Sequence, residues 1–177
     1  MKNKFIQLTM IATMLTACNA PTSNEVAEDF KYNDEQFADL QMLRYKVHGF
    51  EDLTLKQKEL VYYLSEAALE GRDILFDQNG KYNLTIRKML ETVYTDFKGD
   101  KADTNFVNME TYLKRVWFSN GIHHHYGCEK FIPGFTPEFF RAALKTVDAT
   151  KLPLAQGQSV DQLCDEIFPI IFDPTIM

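Results

Sequence analysis

"LTLKQKELVYYLSEAALEGRDILF", residues 53–76, is the stretch on which the fold class turns. Leu55, Leu60, Val61, Leu64, Ala67, Ala68 and Leu69 recur at spacings of three and four, the period of an amphipathic helix rather than the period of two of a half-buried strand. Thr54 immediately ahead is the natural N-cap, because its hydroxyl can accept one of the backbone N–H groups left unpaired in the first turn. The same pattern continues outward from this segment. "DQNGKYN" (77–83) carries the Asn-Gly pair of a turn, and "YNLTIRKMLETVYTDFKG" (82–99) predicts a second helix on Leu84, Ile86, Leu90, Val93, Tyr94 and Phe97, closed by Gly99.

A third helix is expected from about Asp103 through "NFVNMETYLKRVWFSNG" (105–121), with Phe106, Met109, Tyr112, Leu113, Val116 and Trp117 on one side and a stop at Asn120-Gly121. "FTPEFFRAALKTVD" (135–148) shows Thr136 as cap and Pro137 at the first helical position. A last helix is expected from Ser159 in "SVDQLCDEIFPIIFD" (159–173), kinked or ended by Pro169. No stretch alternates with period two, and only "IPGF" (132–135) and "LPLAQGQ" (152–158) look extended. The expected fold is therefore all-α, an irregular multi-helix domain.

The N-terminus belongs to a different regime. Lys2 and Lys4 lead into an apolar run from Phe5 to Leu15, too short to span a bilayer, which needs about 20 apolar residues, and laid out like a signal peptide. The ending Leu15-Thr16-Ala17-Cys18 resembles a bacterial lipobox, which implies a signal peptide over 1–17, lipid attachment at Cys18 and a lipid-anchored, extracytoplasmic place in the cell envelope. "NAPTSNEVAEDFKYND" (19–34) is poor in large apolar residues, so 18–36 reads as a flexible tether and 37–177 as the folded segment. Loss of the leader takes Lys2 and Lys4 with it and lowers the formal charge from −6 to −8, with 17 Lys and Arg left against 25 Asp and Glu. An acidic chain without a basic stripe is a poor nucleic-acid binder, since phosphate neutralisation supplies most of that affinity. The mature form keeps Cys128 and Cys164, either as a disulfide or as two separate thiols.

The chemistry concentrates in "SNGIHHHYGCEKF" (119–131). Neighbours in a strand face opposite sides and neighbours in a helix lie about 100° apart, so three adjacent histidines cannot all serve one metal from a regular element. An extended loop could direct His123 and His125 to one side with Cys128 as a third ligand of zinc-compatible type. A second reading is acid/base or substrate contact, because imidazole titrates near neutral pH and both donates and accepts hydrogen bonds. A third is structural: one histidine caps the preceding helix and the others bond the backbone of nearby turns. The residues alone leave these readings open. Glu66, Glu70 and Asp73 on successive turns fit a solvated face, with an Arg72–Asp73 ion pair beside them. The chain has no Gly-rich phosphate loop, no Gly-x-Ser-x-Gly elbow, no Cys-x-x-Cys and no His-Glu pair.

Two blocks carry a resemblance. Residues 53–94, "LTLKQKELVYYLSEAALEGRDILFDQNGKYNLTIRKMLETVY", and 116–135, "VWFSNGIHHHYGCEKFIPGF", are similar in order and spacing to the N-terminal region of the dipeptidyl peptidase III family, especially its bacterial lipoprotein-type members. In the second block Gly127, Lys130, Phe131 and Pro133 match the family's Gly-x-x-Lys-Phe-x-Pro. The resemblance spans nearly all of 37–177. It implies one lobe of a larger two-lobed zinc exopeptidase that releases dipeptides from peptide N-termini, with Asn120, His123, His124, His125 and Tyr126 as substrate-cleft contacts. The family's zinc is held by a His-Glu-x-x-Gly-His helix and a further glutamate. This sequence lacks that motif, so no catalytic residue and no metal ligand is assigned here, and the cofactor belongs to the full-length family. With "IFPIIFDPTIM" (167–177) as its end, the chain reads as a truncated N-terminal portion, inactive by itself, whose partners are peptides, a membrane through the lipid, and a missing catalytic lobe. The alternative reading is a lipid-anchored helical module that binds peptides or a protein without catalysis.

Overall fold

The computed structural model describes residues 30–176; the signal peptide, Cys18 and most of the tether lie outside the described residues. The fold is all-α in character. A small antiparallel hairpin, β1 (Asn33–Phe37) and β2 (Leu40–Leu43), precedes α1 (Leu55–Glu70), α2 (Arg72–Asn79), α3 (Asn83–Asp96), α4 (Thr104–Ser119), α5 (Pro137–Leu144) and α6 (Val160–Phe172), with a single 3-10 turn at Ala149–Lys151. None of the helices among the described residues is long and apolar enough to cross a membrane.

The core is made mainly by four of these helices, to which α2 adds Phe76. Ile86, Met89, Leu90 and Val93 on α3 meet Phe106, Met109, Leu113 and Val116 on α4, and Phe140 and Leu144 on α5 close against Leu163, Ile167 and Ile171 on α6. All are essentially inaccessible, and burying each such side chain is worth about 1.5–3 kcal/mol relative to leaving it in water. A run of edge-on and stacked rings joins the loop after α4 to α6: Phe135 to Phe140 at 5.4 Å, Phe140 to Phe168 at 5.6 Å and Phe168 to Phe172 at 5.3 Å. Aromatic pairs in this range add to the area they bury. Cys164 is buried in the same layer while Cys128 is exposed, and both are free thiols.

Helix starts follow the capping residues. Thr54 and Gln57 form a reciprocal capping box at α1, and Ser159 and Gln162 form another at α6. Asp103 accepts from Asn105 N–H at 2.8 Å, and Thr136 from Phe139 N–H at 3.2 Å with Pro137 following.

Several elements depart from expectation. The long helix expected over 55–76 is divided at Gly71, whose N–H donates to Ala68 C=O at 3.3 Å in a tightened last turn, while Arg72 Nε caps Leu69 C=O at 3.1 Å. Arg72 is therefore not the partner of Asp73; that carboxylate pairs with Arg87 and, at 3.1 Å, with Lys88. The Asn-Gly turn falls one step later than expected, since α2 runs through Asn79 before Gly80 ends it. Pro169 does not end α6: the helix continues to Phe172, with Asp173 N–H donating to Pro169 C=O at 3.1 Å. Trp117 lies at the rim rather than in the core and donates from Nε1 to Glu91 at 2.7 Å. The hairpin begins at Asn33, ahead of the expected start at 37. It is held to α4 by Lys114–Glu35 and by Arg115–Asp39 at 2.6 Å.

The largest difference concerns α1. The periodicity gives the helix correctly, yet none of its residues is buried. Leu60 is 58% exposed, Val61 43% and Leu64 60%. An apolar stripe of this kind normally faces a core.

Candidate functional site

The histidine loop and the end of α4 form one wall of an open cavity, and α2 forms the other. The volume is about 680 Å³, and the lining is Leu75, Gln78 and Asn79 from α2, Ser119 and Asn120 from the helix end, and His123, His124, His125 and Cys128 from the loop. The site exists because α4 stops where it does. Asn120 adopts the left-handed conformation (φ 53°, ψ 35°), which a short polar side chain tolerates, and Gly121 N–H reaches back to Val116 C=O at 3.0 Å. Asn79 secures this ending from across the cavity, donating from Nδ2 to Asn120 C=O at 2.9 Å and Ser119 C=O at 3.3 Å.

Beneath this helix ending, Asn83 is buried and its Oδ1 accepts from Ile122 N–H at 3.2 Å. Two glycines make room for it. A Cβ at Gly121 would lie 2.4 Å from Asn83 Nδ2, and one at Gly80 would lie 2.7 Å away. The turn before α3 and the turn after α4 are thus locked together through one amide.

The loop itself is a tight antiparallel return. Phe131 N–H donates to Ile122 C=O at 2.8 Å, His124 N–H to Glu129 C=O at 2.7 Å, and Cys128 N–H to His124 C=O at 3.1 Å, with Cys128 in a left-handed conformation at φ 59°. His124 Nδ1 accepts from Tyr126 N–H at 3.3 Å and Gly127 N–H at 3.2 Å, which leaves Nε2 as the nitrogen that carries a ring proton. His125 stacks on His124 with centroids 4.6 Å apart, meets Phe118 edge-on at 5.1 Å, and brings Nδ1 to 3.4 Å from Ser119 Oγ. His123 pairs through its backbone with Lys130. Burial, and secondarily the Lys130 charge, push the His123 pKa below the ordinary imidazole value, so the ring is neutral at neutral pH. Burial also lowers the Lys130 ammonium, whose Nζ donates to Asp173 C=O and, at 3.0 Å, to Ile176 C=O, tying the loop to the end of α6.

The arrangement brings Asn120, His123, His124 and His125 to one cavity but leaves Tyr126 outside the lining, 87% exposed with its ring against His125 at 4.2 Å. The structural reading of the triplet holds for His124, which binds the turn backbone. None of the three caps the carbonyls of α4; His125 meets the Ser119 hydroxyl instead. The extended-loop arrangement in which His123, His125 and Cys128 act as a ligand set is not formed, and among the described residues no three His, Cys, Asp or Glu side chains are grouped so as to hold a metal ion. Gln78, Asn79 and Asn83 were not singled out by sequence. The signal available for Asn83 was its place between Gly80 and Gly121, which only the fold brings into one spot.

Chemically, the wall offers imidazoles, carboxamides and a hydroxyl around a partly apolar floor. Such groups can donate and accept hydrogen bonds to a polar ligand. No protein-family model matches the chain, and no curated protein matches it.

Proposed function

We propose that this chain is a ligand-binding portion of a larger hydrolase, and specifically the N-terminal segment of a dipeptidyl peptidase III-like exopeptidase, inactive by itself. The single observation that carries the reading is the fold of block 116–135. Its helix runs directly into a loop whose histidines line an open cavity instead of filling the core, as a substrate-side wall requires. The exposed edge of α1 formed by Leu55, Tyr62 and Leu69 supports the same view, because a lobe that packs on a second lobe presents such a surface before assembly. The zinc that the family uses does not fit the residues here. His124 Nδ1 is engaged by two turn N–H groups, His125 Nδ1 faces a serine hydroxyl and the sequence has no His-Glu-x-x-Gly-His motif, so the proposal assigns no hydrolytic step to this chain alone.

In this reading the loop binds the extended backbone of a short peptide. Asn120 and the histidine wall exchange hydrogen bonds with its amides, and the Leu75 side of the cavity takes an apolar side chain. The test is twofold. The 177-residue chain should release no dipeptide from a dipeptidyl arylamide with or without added zinc, and chelator-sensitive release would overturn the proposal. Calorimetric titration with a tetrapeptide bearing a free N-terminus should show saturable binding, weakened about tenfold in His124→Ala/His125→Ala with helical content unchanged. Binding without turnover that persists when the N-terminus is acetylated favours the second reading, a peptide-binding module unrelated to exopeptidases.

A further inference from the structure

The helix α1 carries information that the cavity does not use. It is 16 residues long, and isolated helices of that length are marginal in water even with good helix formers. Yet its sequence is apolar over a broad arc: Leu60, Val61, Leu64, Ala67 and Ala68 share one face, and all are exposed. Set out in heptads, Leu60 and Ala67 take the d position, Gln57 and Leu64 take a, and Val61 and Ala68 take e.

One flank of this seam is decisive. Lys56, Tyr63 and Glu70 are spaced by seven residues, so they lie along a single line beside the stripe, drifting by only about 20° per heptad. Lys56 is at the first turn and Glu70 at the last, and Tyr63 is midway between them. Turned end over end, this line is complementary to itself. Lys56 of one copy meets Glu70 of the other, Tyr63 meets Tyr63, and Glu70 meets Lys56. A parallel arrangement has no such complement. Among the described residues neither Lys56 nor Glu70 takes part in an ion pair, so both charges are available. In this register Leu60 of one copy lies opposite Leu64 of the other, and the small Ala67 lies opposite Gln57 at each end of the seam, where the backbones can approach closely.

We infer that α1 is a self-association surface, which pairs antiparallel with α1 of a second copy of this chain about a two-fold axis passing beside Tyr63. The seam buries Leu60 and Leu64 of each copy against those of the other, and the flanking Lys56–Glu70 contacts set the direction. A seam about 24 Å long is shorter than a standard interface of about 800 Å² per partner requires, so the dimer forms at micromolar rather than nanomolar concentration. The Leu55, Tyr62 and Leu69 edge lies outside the pairing and stays free for another surface. Self-association of this kind is independent of the peptidase reading.

Sedimentation velocity of the full chain over about 5–500 µM tests it, with circular dichroism confirming that each variant folds. The wild type should shift from monomer to dimer across this range. Lys56→Glu should weaken dimerisation at least about tenfold, because it sets two carboxylates against each other twice in one interface, and the Lys56→Glu/Glu70→Lys exchange should restore it to within about threefold. Under mild oxidation Tyr63→Cys should give a dimer linked through position 63. A monomer at every concentration, or a dimer indifferent to Lys56→Glu, overturns the inference, as does a Tyr63→Cys variant that remains unlinked.

Discussion

Asn83 shows how much of the site depends on single side chains. Its carboxamide satisfies the Ile122 N–H inside the protein, at the point where α4 gives way to the histidine loop. Removing it leaves a buried donor without a partner, which costs about 1–3 kcal/mol. Asn83→Ala should therefore lower the unfolding free energy from urea titration by that amount, and a value unchanged within error would show that the loop does not depend on this bond. Tyr112 is the opposite case: its hydroxyl is buried without a partner among the described residues, and desolvation raises its pKa well above the phenolic value. The side chain is in the core for its ring, which meets Phe135 edge-on at 5.6 Å. Arg87 lies between these extremes. Its Nη2 pairs with Asp73, its guanidinium covers the Phe76 ring at 4.5 Å, and its Nε is 3.2 Å from a Glu91 oxygen without hydrogen-bond geometry.

At the scale of elements, Pro169 is the informative position. It is exposed inside α6, where it cannot donate to the carbonyl one turn back, and the helix continues because the buried row of Leu163, Ile167, Phe168 and Ile171 holds both sides of it in place. Pro169→Ala restores the donor and a better helix former, so the protein should gain about 1–2 kcal/mol and unfold at a higher temperature, less than the full propensity difference because alanine also frees the unfolded chain. A lowered Tm would mean that the proline sets the path of the last turn. This is also where sequence reading reached its limit. Thr54, Asp103, Thr136 and Ser159 marked their helix starts because capping is local chemistry, fixed within about four residues. Whether Pro169 stops a helix depends on packing from α5, which local pattern does not contain. The hairpin was missed for a related reason: Ala38-Asp39 is not an Asn-Gly turn, and Lys114 and Arg115, which hold the hairpin, lie 79 and 76 residues from their partners. The histidine loop was legible as a helix exit, but the Asn79 and Asn83 contacts that shape it were not.

For the whole molecule, ion pairs and carboxylate hydrogen bonds define the response to acid. Asp73 is held below the usual carboxylate range by Lys88 and then Arg87, Asp96 by Lys151, and Asp161 by Lys145 and then Arg141. A carboxyl whose pKa is depressed on folding adds stability that is complete above its unfolded value, about 3.9, and is lost as pH falls through the folded value. These exposed pairs are individually weak and screened by salt. Urea midpoints should be flat in this contribution above about pH 5 and fall below about pH 4, with the fall reduced in Asp73→Asn; a midpoint insensitive to pH from about 5 to about 2.5 would contradict it. His123 acts at higher pH in the same sense. Its depressed pKa makes the folded state take up a proton less readily than the unfolded one, so it removes stability as pH drops below about 6.5.

Lys130 gives the architecture a mechanical property. One ammonium grips two carbonyls beyond the end of α6 from the histidine loop, so the loop and the segment after the last helix are tied through a single side chain. A guest that pries the loop outward must either stretch that grip or drag the end of α6 with it.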